Sequence, residues 1–292
     1  MKAFLTLLIA LPACGSEART GTPDANGVSL IWVGGGPRQV LRYVPHKGDT
    51  TPLRLVTESE LTSVGNQGKE GGALPTLTID GTLAIDDVLA DGSARLRLLI
   101  GEITASSTDA TTMPADAMER NMQLMHGASV VATLQPDGVI KDVQTSSPAK
   151  LPPGLQAQLE AVGRSFSQVA MPLPHTPVGA GAIWRVLKPM TENNMKLVVV
   201  TTVSVGALEG DRASYTMASS LGGENQSVDM GGGTVIAMHG IGGAGTGSGT
   251  LDLAHAIATG ETRLEFHAGM SSSGEDETTT MRTTTRVTTA SK

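Results

Sequence analysis

One group of side chains in the sequence has the composition of a soft-metal site. Met118, Met122, Met125 and His126 follow one another at helical spacing, and Met113 lies shortly before them. Thioether and imidazole groups suit Cu(I), so the group is a candidate for copper handling. Methionine also fills irregular gaps in apolar cores, and apolar helix faces are far commoner than metal sites. We therefore expect core packing and hold copper handling as the alternative.

A second group, residues 240–245, matches the G-x-G-x-x-G pattern of dinucleotide-binding loops. That chemistry requires a helix that begins in the loop, so that its amide groups meet the pyrophosphate. Here more glycines follow, and the sequence after them does not alternate strands with helices. We expect a flexible glycine-rich loop over 222–249 and no cofactor.

Other catalytic patterns are missing from the sequence. The six histidines form no H-E-x-x-H motif, and no G-x-S-x-G elbow occurs. Asp86 and Asp87 are paired carboxylates, but a glycosidase assignment depends on their separation in space. We expect a protein that is not an enzyme and uses no metal.

Cys14 is the only cysteine among 292 residues. It therefore excludes an intrachain disulfide and any zinc or iron–sulfur site built from several cysteines. Lys2 and a nine-residue apolar run over 3–11 precede it, which is typical of a secretory signal peptide. As a helix the run spans only about 14 Å, too short for a bilayer.

Leu11-Pro12-Ala13-Cys14 resembles the lipobox of bacterial lipoproteins. That resemblance implies cleavage before Cys14, acylation of its sulfur and amine, and membrane attachment through the acyl chains. Two or three chains give stable anchoring, whereas one is marginal. Gly15 after the cysteine implies sorting to the outer membrane. The domain boundaries that we expect are a signal peptide over 1–13, a flexible tether over 14–27 and one β-rich domain over 28–292.

The composition narrows the class of the folded part. The net charge of −7 disfavours a nucleic-acid-binding surface. Thirty-six glycines and fifteen prolines indicate many turns, and only seven residues are aromatic. The core must therefore consist mainly of Leu, Val, Ile and Met, with Trp184 and Phe166 as its large anchors. An alternative for these two aromatic residues is that they line a ligand cavity.

Most of the sequence after residue 28 is patterned like β-strands. Leu96, Leu98 and Ile100 alternate with polar positions, so that one face is expected to be buried. Turns are predicted at 46–49, 80–81, 91–92 and 136–138, where glycine follows or accompanies aspartate. A strand is predicted over 41–44, and a closing hairpin is predicted from 264 to 288.

Two segments are predicted to be helical. Leu155, Leu159, Val162, Phe166 and Val169 form an apolar stripe at helical spacing, and two prolines end it. A weaker helix is predicted over 114–125. The motif Gly-Thr-Leu occurs at 81–83 and again at 249–251, which suggests a duplicated β unit as a hypothesis.

Several short motifs follow one another along the chain, and their order is informative. They are 37–48, Gly92-Ser93-Ala94-Arg95, Pro136-Asp137-Gly138-Val139, the amphipathic helix, and 173–184. Over 37–288 this order resembles an uncharacterised family of bacterial envelope lipoproteins. The resemblance implies a curved antiparallel sheet with one or two packed helices, similar to lipoprotein carriers. It implies no activity. We expect a mainly β (α+β) envelope protein, built as a curved antiparallel sheet or a partly open barrel, that binds an apolar ligand or lipid or has a structural role.

Overall fold

The computed structural model describes residues 22–65, 68–107, 114–166, 170–192, 195–229, 235–272 and 275–289. Cys14 and the predicted signal peptide lie outside these residues. The described chain is mostly antiparallel β-sheet, curled into a half-barrel, with two α-helices. The predicted fold class, a β-rich α+β protein, is confirmed. None of the described helices is long and apolar enough to cross a membrane.

Strands follow one another for most of the chain, with α1 between the sixth and seventh strands and α2 between the eighth and ninth. In chain order the elements are β1 Val28–Trp32, β2 Gly35–Gln39, β3 Thr50–Gly65, β4 Gly68–Ala73, β5 Thr76–Val88, β6 Ala94–Ser106, α1 Ala115–Met122, β7 Ser129–Leu134, β8 Ile140–Ser146, α2 Pro153–Phe166, β9 Val178–Ala180, β10 Ile183–Glu192, β11 Met195–Glu209, β12 Arg212–Gly222, β13 Gln226–Asp229, β14 Val235–Asp252, β15 Ile257–Ser272 and β16 Glu275–Thr289.

The sheet consists of two meanders joined side by side. One meander runs β3-β5-β6-β7-β8, and the other runs β10-β11-β12-β14-β15-β16. They meet where β16 pairs with β3, from Thr278–Val64 to Thr289–Leu53. Strand β1 pairs with β10 at one end of the sheet, and β2 pairs separately with β9. The predicted hairpin near the C-terminus is the β15–β16 pair.

Side chains alternate across the sheet as the sequence predicted. In β6, Leu96 is fully buried, whereas Arg95 and Arg97 are exposed. Because paired residues on neighbouring strands point to the same side of the sheet, this alternation continues from strand to strand. It defines one face of the sheet, which carries buried residues such as Leu83, Leu96, Val130 and Trp184. We name it the concave face, and its opposite the convex face, which is mostly polar and exposed.

The glycine-rich segment is a strand, so the prediction of a flexible loop over 222–249 was wrong. Strand β14 pairs with β12 on one side and β15 on the other. Every second residue from 243 to 249 is a glycine on the concave face. A Cβ on Gly249 would overlap the Thr259 carbonyl oxygen, and one on Gly243 would lie 2.5 Å from the Glu265 oxygen. Glycine therefore serves here to let neighbouring backbones approach in a strongly bent sheet.

The turn predicted at Asp80-Gly81 is also wrong. Both residues lie within β5, where the pairing with β6 shifts register between Ile79 and Gly81. A Cβ on Gly81 would lie 2.9 Å from the Leu99 carbonyl oxygen, so this Asp-Gly pair marks a bulge with close backbone approach. The turns at 91–92 and 136–138 are hairpin connections, as predicted.

Both predicted helices are present. Helix α2 begins at Pro153 and buries Leu155, Leu159 and Phe166, whereas Val169 lies outside the described residues. The weaker helix is α1, which continues into a single 3₁₀ turn, Gln123–Met125. Proline at the first position of α2 fits a site whose amide needs no helical partner.

The duplication hypothesis meets a mismatch in register. Leu83 and Leu251 are both buried on the concave face. However, Asp91-Gly92 connects β5 to β6, whereas Thr259-Gly260, its counterpart in the proposed repeat, lies inside β15. The similar motifs therefore do not occupy equivalent hairpins.

The folded domain begins before the predicted boundary at Val28. The Asp24 carboxylate accepts hydrogen bonds from the amides of Asn26 and Val28, each at 2.9 Å. The side-chain amide of Asn26 donates to the Asp137 carboxylate at 2.7 Å, and the Gly27 carbonyl accepts from the backbone amide of Leu187. These bonds hold the last residues of the predicted 14–27 tether against the sheet.

The segment 41–44 is extended but pairs with no strand as a ladder, contrary to the prediction. The Tyr43 amide donates to the Pro136 carbonyl at 2.9 Å, and the Val44 amide donates to the Leu253 carbonyl at 3.0 Å. These partners belong to turns of the two different meanders. The segment therefore fastens the two walls of the half-barrel together.

Candidate functional site

The concave face is the candidate binding surface, because its middle is only partly covered. Its two ends and one flank are closed by apolar clusters, and the strands between them carry half-buried side chains.

The largest cluster closes the end of the half-barrel near the segment 41–44. It includes Trp184, Tyr43, Phe166, Leu83 and Leu96, all at most 2% exposed. The Trp184 indole donates to the Pro172 carbonyl at 3.0 Å, which satisfies its polar atom. Trp184 and Phe166 are therefore core anchors, as predicted, and the alternative that they line a ligand cavity does not hold.

A second cluster lies under the helices. Ile100, Ile103 and Leu159 are buried there together with Met122 and Met125. A third cluster closes the far end of the long strands. It contains Leu197, Val228, Met238, Ile241 and Ala268, with Met190, Leu221, Phe266 and Met270 packed against it.

Between these clusters the concave face is half-buried rather than sealed. One row of paired residues crosses it as Val199, Leu221, Gly243 and Phe266, and the next as Thr201, Ser219, Gly245 and Leu264. Leu55, Ile79 and Leu77 stand at the opposite wall, where β3 and β5 pair. Apart from Gly245, which is buried, all these residues have intermediate exposure. We name this region the floor of the half-barrel.

The polar atoms of the floor partly satisfy one another. The Thr201 and Ser219 hydroxyls lie 2.9 Å apart across the β11–β12 pair. A paired hydroxyl has less need of water than a free one, so this contact reduces the cost of covering the floor with an apolar group. The floor can therefore contact an apolar ligand, although Thr201 and Ser219 contribute hydroxyl groups to it.

Lys188 brings a positive charge to the edge of the same face. It lies between Val186 and Met190 in β10 and pairs with Val199 of the floor. Burial lowers the pKa of its ammonium group below the ordinary value. Lys188 is not among the predicted site residues, although the strand alternation that starts at Trp184 places it on the buried face.

The Met and His residues proposed for copper divide between core and solvent. Met125 is fully buried and Met122 nearly so, both among apolar side chains, whereas Met118 is half-buried and His126 is exposed. Met113 lies outside the described residues. This arrangement supports core packing, the interpretation that we preferred. Within the described part of the chain, no group of three or more His, Cys, Asp or Glu side chains could hold a metal ion.

Asp86 and Asp87 are each engaged by a cation on the convex side. Arg97 donates to Asp86 through Nε and Nη2, and Lys47 donates to Asp87 at 2.9 Å. These hydrogen bonds lower the pKa of both carboxyl groups. Ionised and paired carboxylates cannot serve as the proton donor of a glycosidase pair. The motif at 240–245 lies within β14, so no helix begins there to receive a pyrophosphate.

Comparison with known proteins returned no matching family model and no matching curated protein. The resemblance to envelope lipoproteins therefore stays a prediction that depends on the motifs quoted above.

Proposed function

We propose that the chain is a lipid-anchored protein of the bacterial envelope that binds an apolar ligand, such as a lipid acyl chain, without catalysing a reaction. Cys14 would carry the anchor, and the floor of the half-barrel would hold the ligand. The proposal on localisation depends on the lipobox, and the proposal on binding depends on the structure of the concave face.

The observation that carries the binding proposal is the floor between the sealed ends, which no second layer of the described residues covers completely. A sheet face that bears Leu, Val, Phe and Met is normally covered by a second layer, because apolar area removed from water contributes about 25 cal/mol per Å². Here the second layer covers the ends and the β5–β6 flank but leaves Leu221, Leu264 and Phe266 half-buried. An acyl chain laid along the floor would complete the layer.

The curvature of the sheet is compatible with an apolar ligand. Curled sheets of this size enclose apolar ligands when their interior is not filled by side chains. The glycines at 243, 245, 247 and 249 add no side chains of their own to the floor, although Leu264 lies close over Gly245 and Met217 over Gly247. In this proposal an acyl chain lies along the strands, beside Leu264 and Phe266 of β15.

Binding of cis-parinaric acid, a fluorescent fatty acid, tests this proposal on the full chain in mild detergent. We expect saturable binding that the Leu221→Glu variant loses, because its charge would lie on the floor. The matched control is Ser220→Glu, which adds the same charge to the neighbouring, exposed convex position. Absence of saturable binding, or equal loss in both variants, would count against the proposal.

A further inference from the structure

A pocket of about 470 Å³ opens beside the convex-face residues Arg212, Thr250 and Asp252, away from the floor. It lies at the ends of β3, β12, β14 and β15. Its lining includes Thr50, Thr250 and Thr259 together with Arg212, Asp252 and His255, and the Thr259 hydroxyl donates to the Thr250 carbonyl at 3.5 Å. Asp252 and His255 are separated by the Asp-x-x-His spacing of a turn.

Asp252 organises the charged side chains of this pocket. Its Oδ2 accepts from Arg212 Nε at 3.0 Å, and its Oδ1 accepts from the His255 amide at 3.1 Å. The same oxygen lies 3.0 Å from His255 Nδ1. Burial opposes ionisation of Asp252, but the hydrogen bonds from His255 and Arg212 outweigh it and lower its pKa. The ionised carboxylate of Asp252 therefore holds the Arg212 and His255 side chains in place.

Arg212 and His255 each use only part of their hydrogen-bonding groups to contact the Asp252 side chain. Because Nδ1 faces the carboxylate, it carries a proton, and Nε2 is the ring nitrogen turned away from Asp252. Arg212 uses Nε for Asp252, so its two Nη groups remain as a planar pair of donors. Within the described chain, neither the Nη groups nor His255 Nε2 has a hydrogen-bond partner.

The hydrogen-bond donors that remain in the pocket favour an anionic ligand. The donors are those that bind tetrahedral oxyanions: guanidinium Nη–H, imidazolium N–H and threonine hydroxyls. The pocket is also larger than one sulfate ion, so that a group esterified to the oxyanion would fit.

We propose that this pocket binds a phosphate- or sulfate-type oxyanion, either as a free ion or as a monoester headgroup, with Arg212 and His255 as its ligand-contacting residues. The site is independent of the floor, and its occupation does not require the acyl-chain function proposed above.

Calorimetric titration of the full chain in detergent with sodium sulfate and with inorganic phosphate tests the proposal. We expect dissociation constants of about 1 mM or lower. Arg212→Gln should weaken binding at least about tenfold, and His255→Gln several-fold. The control is Arg54→Gln on the same face, which breaks a pair with Asp80 outside the pocket and should leave binding unchanged.

A second arm distinguishes the two sources of the oxyanion. In this arm the chain carries Cys14→Ala, so that no acyl anchor contributes to vesicle binding. Flotation with phosphatidylcholine vesicles containing phosphatidic acid, whose headgroup is a phosphomonoester, should retain this chain and release its Arg212→Gln version if the ligand is a lipid. Binding of sulfate and phosphate without vesicle binding would identify a small anion, and both results support the site. If Arg212→Gln does not fold, a shift of the wild-type His255 imidazole NMR signal on sulfate addition replaces it. No binding in either arm, or equal binding by Arg212→Gln and wild type, overturns the proposal.

Discussion

The Tyr43 hydroxyl lies 2.9 Å from the backbone nitrogen of Met171, 128 residues away in sequence, and accepts its hydrogen. Tyr43 and Met171 belong to the two segments that close the sealed end of the half-barrel. Burial raises the pKa of the Tyr43 phenol, so the hydroxyl stays neutral at any physiological pH. The bond thus joins two irregular segments that no ladder of strand hydrogen bonds holds.

Replacing Tyr43 with phenylalanine removes a single oxygen atom and should nevertheless lower the free energy of unfolding markedly. The change leaves the Met171 amide buried without an acceptor, which costs about 1–3 kcal/mol. Urea unfolding followed by circular dichroism would measure the difference. Tyr215→Phe, in the same apolar cluster, is the matched control and should cost less; equal costs would show that the Tyr43 bond has no special weight.

Gly138→Ala should be one of the most damaging small substitutions. Gly138 has a φ of +86°, and a Cβ there would overlap the Met171 carbonyl oxygen and lie 2.9 Å from Tyr43 Cε2. Positive φ and overpacking together cost about 2–4 kcal/mol. The control is Gly154→Ala in α2, where a Cβ meets nothing within 4 Å and alanine favours the helix. A melting temperature for Gly138→Ala as high as that of Gly154→Ala would contradict this account.

The protein should lose stability in acid, because several carboxylates are stabilised in the charged form. Hydrogen bonds from Arg54 and Arg97 lower the pKa of Asp80 and Asp86 below the unfolded value of about 3.9. Their stabilisation is therefore present above a pH of about 4 and is lost as the pH falls through the folded-state values. Urea midpoints measured between neutral pH and pH of about 3 should fall only at the acidic end.

The Arg97→Met variant checks the cause of that loss. It should be less stable than the wild type at neutral pH and should lose less on acidification, because Asp86 no longer has a lowered pKa. Arg120→Met serves as control, since its pair with Asp116 is an exposed helical one, worth about 0.5 kcal/mol or less. An unchanged acid response in Arg97→Met would mean that other groups govern it.

The anchor can be tested apart from the fold. Labelled palmitate should be incorporated into the wild type and into Gly15→Ala but not into Cys14→Ala, because Cys14 is the only thiol in the chain. Labelling that persists without Cys14 would contradict lipidation and, with it, the proposed place in the envelope.

Local patterns predicted the elements where one face of a strand or helix is buried. The alternation of Leu96 with Arg95 and Arg97 and the stripe of Leu155, Leu159 and Phe166 were read correctly, because burial of one face imposes a period. The strand through Gly243 and Gly249 was missed, because its glycines are required by the neighbouring backbone. That reason exists only once β15 is paired beside β14.

The candidate sites were harder to predict than the strands. Lys188 becomes notable only when its neighbours across the β10–β11 pair are known, and Arg212 reaches Asp252 through a strand pairing 40 residues apart. At Asp80-Gly81 the opposite happens: the local sequence predicts a turn, but the two residues lie within β5 because β5 pairs with a strand on each side. Long-range pairing therefore decides which side chains meet, and one sequence does not specify it.

Photocrosslinking with a diazirine-bearing fatty acid tests the central claim most directly, because it reports where an acyl chain lies. The labelled full chain would be digested and the modified residues mapped by mass spectrometry. We predict labels on β11, β12 and β15 at the floor, around Val199, Leu221 and Phe266, that unlabelled fatty acid displaces and Leu221→Glu abolishes. Labels that no competitor displaces, or that map to the convex residues Leu187 and Val198, would contradict it.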